Sequence, residues 1–328
     1  MPNFKDAAHY KKLSERRVKC TLCPHNCIIG NGEVGICKVR MNIHGKLKAM
    51  NYAKPHTVRS ERVEEFPLYH FLPNSKALVI GAAGGNLESR WNQMPYYGKG
   101  FEEVPTVNQD AVAVVKQAES VNAKVIAYKD GEPGMFFEFV RDISKNSKKI
   151  RNVMISNGYL EIDPARELTK RLHGVVFDIP SMNEEYYEEI MKGNLDFVLR
   201  TIKIFHDSGV WTEIKMTIIP EFHESLYDIR KLISWVLNNL DTNVPVHFMA
   251  YNDGQYKTPS ELVDKAMKIA KAAGLNYVYT HGGESKDGEI TFCPNCTKPL
   301  LYRNTEKGFN FISNGKCSCG KEIAGVWE

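Results

Sequence analysis

Ala77-Leu78-Val79-Ile80-Gly81-Ala82-Ala83-Gly84-Gly85-Asn86-Leu87-Glu88-Ser89-Arg90-Trp91-Asn92-Gln93 is the stretch on which the reading of the fold turns. Its first four residues are apolar and run straight into glycine, which reads as a fully buried strand of a parallel sheet. In such a sheet the loops that follow the strands carry the site. Gly84 and Gly85 let the backbone come close to a ligand, because no Cβ stands in the way. Chemistry is what the loop lacks: it contains no Cys, His or Lys, and Glu88 and Arg90 are its only ionisable side chains.

Downstream the chain alternates strand and helix. Strands are expected at 124–128, 152–156, 174–179, 213–218, 244–249 and 277–280. Helices are expected from about Gly134, from Asp163-Pro164 as cap and first turn, from about Glu224 and from about Pro259. Six or seven such units with right-handed crossovers make an α/β protein, a full or partial parallel (β/α) barrel. Asp130, Glu132, Asp178, Glu213, Lys215, His247 and Tyr251 fall at or near strand ends. Of these, Glu132, Asp178 and Lys215 are the candidates for acid or base work. The competing reading is that these charges only line a polar mouth. His70, in Phe66-Pro-Leu-Tyr-His-Phe-Leu-Pro73, reads as a bonded core residue. A dinucleotide site is not indicated, because Gly81-x-x-Gly84-Gly85 lacks the G-x-G-x-x-G spacing.

The eight cysteines lie only in the flanks. Cys20, Cys23, Cys27 and Cys37 spell C-x2-C-x3-C-x9-C, and Cys293, Cys296, Cys317 and Cys319 spell C-x2-C followed by C-x-C. Two sets of four with tight turns are metal spacing rather than a disulfide framework. Zinc is the first reading for both, closed and structural. For the N-terminal set an iron–sulfur cluster is the second reading, since four thiolates serve either. The expected organisation is a metal-binding module with a β extension at 1–75, the barrel at 76–283, and a zinc ribbon as a separate module at 284–328. Residues 1–17 read as a helical, solvated lead-in. The ribbon's Lys298, Arg303, Lys307, Lys316 and Lys321 read as a solvated basic face.

The 328 residues carry a formal net charge of +4 without a basic run, so nucleic acid is not the expected partner. No apolar run spans a bilayer and the N-terminus is polar, which makes a cytoplasmic protein the expectation.

The chain resembles the radical S-adenosylmethionine (SAM) member of the AmmeMemoRadiSam group, related to pyruvate formate-lyase activating enzymes. The resemblance rests on Cys20-x-Leu-Cys-Pro-His-x-Cys27 with Gly35-Ile-Cys37, on Pro67-Leu-Tyr-His-Phe71, on Asn157-Gly158-Tyr159 and on the ribbon ending Gly325-Val-Trp327. It implies a radical SAM-type barrel whose first strand is followed by C-x3-C-x2-C, holding a [4Fe–4S] cluster that cleaves SAM. The matching positions here are Gly85, Ser89 and Asn92, with Asn86 and Gln93 in their expected places. No [4Fe–4S] cluster is therefore expected in the barrel, because thiolates hold such clusters. The resemblance implies a SAM seat at Gly84, Gly85, Asn86, Glu132, Ser156 and Asn157. It also shows Asp178-Ile-Pro180 where the family often has Asp-Leu-Lys. The expectation is a ligand-binding or scaffold homologue, with SAM or a nucleotide as candidate ligand and a small molecule or a protein as partner. The alternatives are an enzyme of non-radical chemistry in the barrel mouth, or a redox protein with its cluster at the N-terminal cysteines.

Overall fold

The computed structural model describes residues 4–89, 91, 96–223, 226–303 and 310–328. Arg90, Asn92, Gln93, Glu224 and Lys307, all singled out above, lie outside them. Eight strands form one mostly parallel sheet: β1 (Thr57–Arg62), β2 (Lys76–Gly81), β3 (Val125–Tyr128), β4 (Arg151–Ser156), β5 (Gly174–Asp178), β6 (Trp211–Ile218), β7 (Val246–Ala250) and β8 (Val278–His281). Their order in the sheet is their order in the chain. β2 with β3, β3 with β4, β6 with β7 and β7 with β8 are parallel. Each expected strand is found within about three residues of its place, because continuous Val/Ile/Leu runs buried on both faces are a local signal.

The chain divides into two compact units, residues 1–61, 75–175 and 184–210, and residues 62–74, 176–183 and 211–328. The N-terminal cysteines thus share a unit with β2–β4, and the ribbon shares one with β6–β8.

In the first unit, the lead-in is strand rather than helix. Tyr10–Lys12 pairs antiparallel with Val18–Cys20, which pairs with Ile28–Ile29. Within the expected β extension, Arg40–Ile43 and Lys46–Ala49 form a hairpin around His44-Gly45, and Lys5–Asp6 adds to it. The helix expected from Gly134 begins as a 3-10 turn, Pro133–Phe136, and continues as Phe137–Asn146. The helix expected at Asp163 runs Ile162–Thr169, capped by Glu161 without a side-chain bond. The Glu161 carboxylate instead accepts from Asn26 at 2.8 Å and Arg200 at 3.3 Å. Helices Ala111–Ser120 and Leu195–Asp207 start at Asp110 and Asn194, whose side chains accept from Ala113 and Asp196 N–H.

In the second unit the helix expected from Glu224 is Tyr227–Asn239, preceded by Leu226 in the left-handed region, and the last long helix is Ser260–Ala272. The ribbon does not pack by itself. Cys293, Leu300, Cys317 and Ile323 are buried in one cluster with Tyr69, Tyr277 and Tyr279, and Trp327 packs against it. Arg303 is not on a solvated face. It is 8% exposed, donates to the carbonyls of Tyr69 (2.7 Å) and Glu289 (2.9 Å), and lies 4.0 Å over the Tyr69 ring. A guanidinium on a long apolar stem can staple such a junction in a way a lysine cannot.

Candidate functional site

The loop after β2 is packed tight. Gly84, at φ +107°, has so little space that a Cβ would lie 2.7 Å from Val39 and 3.2 Å from the Cys37 carbonyl; one on Gly85 would lie 3.1 Å from the Gly98 backbone. Ala82, Ala83 and Leu87 are buried. Below the loop, the Glu132 carboxylate is 1% exposed and accepts from Ser156 Oγ (2.7 Å), Gly134 N–H (2.8 Å) and Asn157 N–H (2.9 Å). The Asn157 amide donates to Asn86 Oδ1 at 2.9 Å, and Asn86 donates to the Tyr159 carbonyl at 2.7 Å. The structure therefore brings together all six residues expected in the ligand seat, Gly84 and Gly85 as backbone, the other four as one hydrogen-bonded cluster. Gly131 fixes its geometry: at φ +130° a Cβ would fall 2.0 Å from the Ala82 carbonyl, a spacing open only to glycine. With three donors on it, Glu132 orders the ends of β3 and β4.

The two cysteine groups differ. Among the described residues, the ribbon group Cys293, Cys296, Cys317 and Cys319 has all its sulfurs within 4.8 Å of one another. Cys293 and Cys319 are 3.7 Å apart, Cys296 and Cys317 3.6 Å. Cys20, Cys23, Cys27 and Cys37 do not converge in this way, but all four line one small pocket, with His25, Arg40 and Met135. His25 is not turned wholly to its own knuckle, since its Nε2 lies 2.5 Å from the Asn86 carbonyl.

In the second unit Lys215 donates to Asp178 at 2.7 Å, both partly exposed, so these two candidates form an ion pair. Tyr251 donates to Asp253. Glu213 is placed otherwise than expected. It stands near the start of β6, fully buried, and accepts from Tyr69 N–H and His70 N–H at 2.9 Å and from Trp211 Nε1 at 2.8 Å. His247 Nε2 lies 2.8 Å from it, and His247 Nδ1 lies 3.1 Å from His281. Sequence reasoning saw Glu213 and His247 but not that His281 and the 66–73 segment join them; two polar residues inside apolar strands were the available signal. Burial pushes the Glu213 carboxyl up, opposed by the His70 ring and its N–H donors.

Burial lowers His247 well below the ordinary range, holds His70 at about 4, and with His247 and Lys215 beside it holds His281 at about 3. The unfolded chain takes up these protons below about pH 6.5 and the folded chain does not. Stability is therefore full above pH 6.5 and is lost as the pH falls, at about 1.4 kcal/mol per pH unit for each ring. Urea midpoints between pH 7 and pH 5 test this; a flat profile would mean that the rings charge in place.

With this geometry in hand, the comparisons bear on identity. Residues 95–233 match the model of the Radical SAM superfamily. The chain is 32% identical, over 98% of its length and 99% of the relative's, to the uncharacterized protein MJ0808 of Methanocaldococcus jannaschii. The chain thus carries a segment that matches the Radical SAM superfamily. Solved structures similar to this chain include a radical SAM methyltransferase from Sphaerobacter thermophilus, at TM-score 0.48 and 12% identity over 64% of this chain and 67% of that one. Another is a domain of a pyruvate-formate lyase-activating enzyme from Bacteroides vulgatus, at 0.40 and 13% over 45% and 90%. Likeness this loose assigns no residue. Among the described residues no helix is long and apolar enough to cross a membrane.

Proposed function

We propose that this radical SAM-fold protein has given up radical initiation at the barrel mouth and works as a ligand-binding or scaffold homologue. The carrying observation is the loop after β2. Two of its three ligand positions described, Gly85 and Ser89, offer no thiolate, and the third is Asn92. The backbone there is closed against Val39 and Gly98. Glycine has no ligand atom, and a hydroxyl or amide is a poor partner for iron that thiolates normally hold. The barrel cluster does not fit these residues.

What survives is the polar seat of Asn86, Glu132, Ser156 and Asn157. It is built to present backbone and amide groups, and Glu132 is held by three donors rather than left open as an acid or base. SAM is the first ligand to try, at an affinity reduced by the loss of an iron to chelate its amino-acid end. The ribbon takes zinc on this reading. Zn–S bonds of about 2.3 Å at tetrahedral angles place sulfurs about 3.8 Å apart, close to the 3.6 and 3.7 Å of its two closest pairs.

The test is a reductive cleavage assay. Anaerobically reconstituted protein, reduced with dithionite and given SAM, is expected to form no 5′-deoxyadenosine above the protein-free control. One equivalent per chain would overturn the proposal.

A further inference from the structure

We infer that Cys20, Cys23, Cys27 and Cys37 hold a [4Fe–4S] cluster rather than a zinc ion. The molecule carries its own standard for comparison. In the ribbon four thiols converge at the spacing one tetrahedral ion demands. In the N-terminal group no three of the four sulfurs come within 4.8 Å of one another, although all four face the same cavity. A mononuclear site, of zinc or of iron, needs its ligands together, because each must reach one point. A cubane cluster needs them apart, because each thiolate binds a different iron and the inorganic core lies between.

The cavity wall suits such a group. Leu22, Ile29 and Met135 supply apolar surface. Backbone N–H groups of His25, Ile36 and Val39 face the sulfurs of Cys23, Cys27 and Cys37, the kind of hydrogen bond that tunes iron–sulfur clusters. Arg40 contributes the buried cation. It is 1% exposed, lies on the cavity wall close to Cys20 and Cys37, and its Nε has no partner. A [4Fe–4S] core with four thiolates is anionic, and this N–H with its charge is placed to meet it. An unpartnered buried donor is otherwise costly.

Four thiolates leave no iron open, so the cluster binds no SAM. The inference is independent of the reading of the barrel loop. That reading fails on SAM cleavage, whereas this one fails on metal content.

The experiment is metal and sulfide analysis of the full chain, purified without oxygen and reconstituted with ferrous iron and sulfide. About four iron and four sulfide per chain are expected, with a broad visible absorption band, and about one zinc. The Cys23→Ala/Cys37→Ala variant is expected to lose the iron and keep the zinc. The Cys296→Ser/Cys319→Ser variant is expected to do the reverse, which keeps the assignment testable if the first variant folds poorly. About two zinc with iron at background in the wild type would overturn the proposal. So would iron that survives loss of Cys23 and Cys37.

Discussion

Replacing Glu213 with alanine is expected to lower the unfolding free energy of the protein by at least about 4 kcal/mol. The carboxylate serves four donors or rings, the buried Tyr69 N–H, His70 N–H and His247 Nε2 and the half-buried Trp211 Nε1. Alanine strands the three buried ones where water does not reach, and each stranded donor costs about 1–3 kcal/mol. The side chain is wholly buried, so no solvent can replace it. Glu213→Gln keeps the volume and one acceptor oxygen but turns an amide N–H₂ toward donors, so its loss is smaller. Urea unfolding followed by tryptophan fluorescence reads both, since Trp211 reports on the site itself. An alanine variant with an unchanged midpoint would show that the 66–73 segment is held by something other than this carboxylate.

Glu138→Ala is expected to cost about 3–5 kcal/mol, the usual loss when one half of a buried ion pair is removed. Glu138 and Arg40 are each 1% exposed and meet at 2.6 Å. The same Glu138 oxygen accepts from Ala8 N–H at 2.8 Å, and Arg40 donates to the Ala8 carbonyl at 2.8 Å, so the pair also ties down the first strand region. Without Glu138 the guanidinium keeps its charge and loses its counter-ion. Replacing both, as Arg40→Met with Glu138→Leu, is expected to recover much of the loss, because burying a pair is itself expensive. A thermodynamic cycle over the two single variants and the double, at matched metal content, measures the coupling. Additive losses would mean the two side chains act separately.

The strands of this protein were legible because their signal is local. Leu78-Val79-Ile80 and Val175-Val176-Phe177 are apolar on both faces, and nothing distant has to be known to place them. The lead-in was misread because Tyr10-Lys-Lys12 is too short and polar to announce itself. It becomes a strand only by pairing with Val18–Cys20. The ribbon's dependence on Tyr69, Tyr277 and Tyr279 was hidden for the same reason, since sequence shows cysteine spacing but not which apolar face meets which. Glu132 stands out in the sequence by its position just after β3, while the three donors that fill its carboxylate come from residues 134, 156 and 157 and are a property of the fold. For the N-terminal cysteines the spacing names four candidate ligands and leaves the metal open. How far apart the sulfurs lie depends on the backbone that carries them.

The shared core of ribbon and sheet sets an order of events during synthesis. Leu72 N–H bonds to the Val326 carbonyl, and Val326 N–H bonds to the His70 carbonyl. Both partners of each bond are separated by most of the chain. Residues 66–72 leave the ribosome early and must wait, with Phe66, Tyr69 and Phe71 uncovered, until the ribbon has emerged and closed. The second unit is thus finished late, and a chain whose ribbon fails to close would be caught with that aromatic face open to chaperones and proteases.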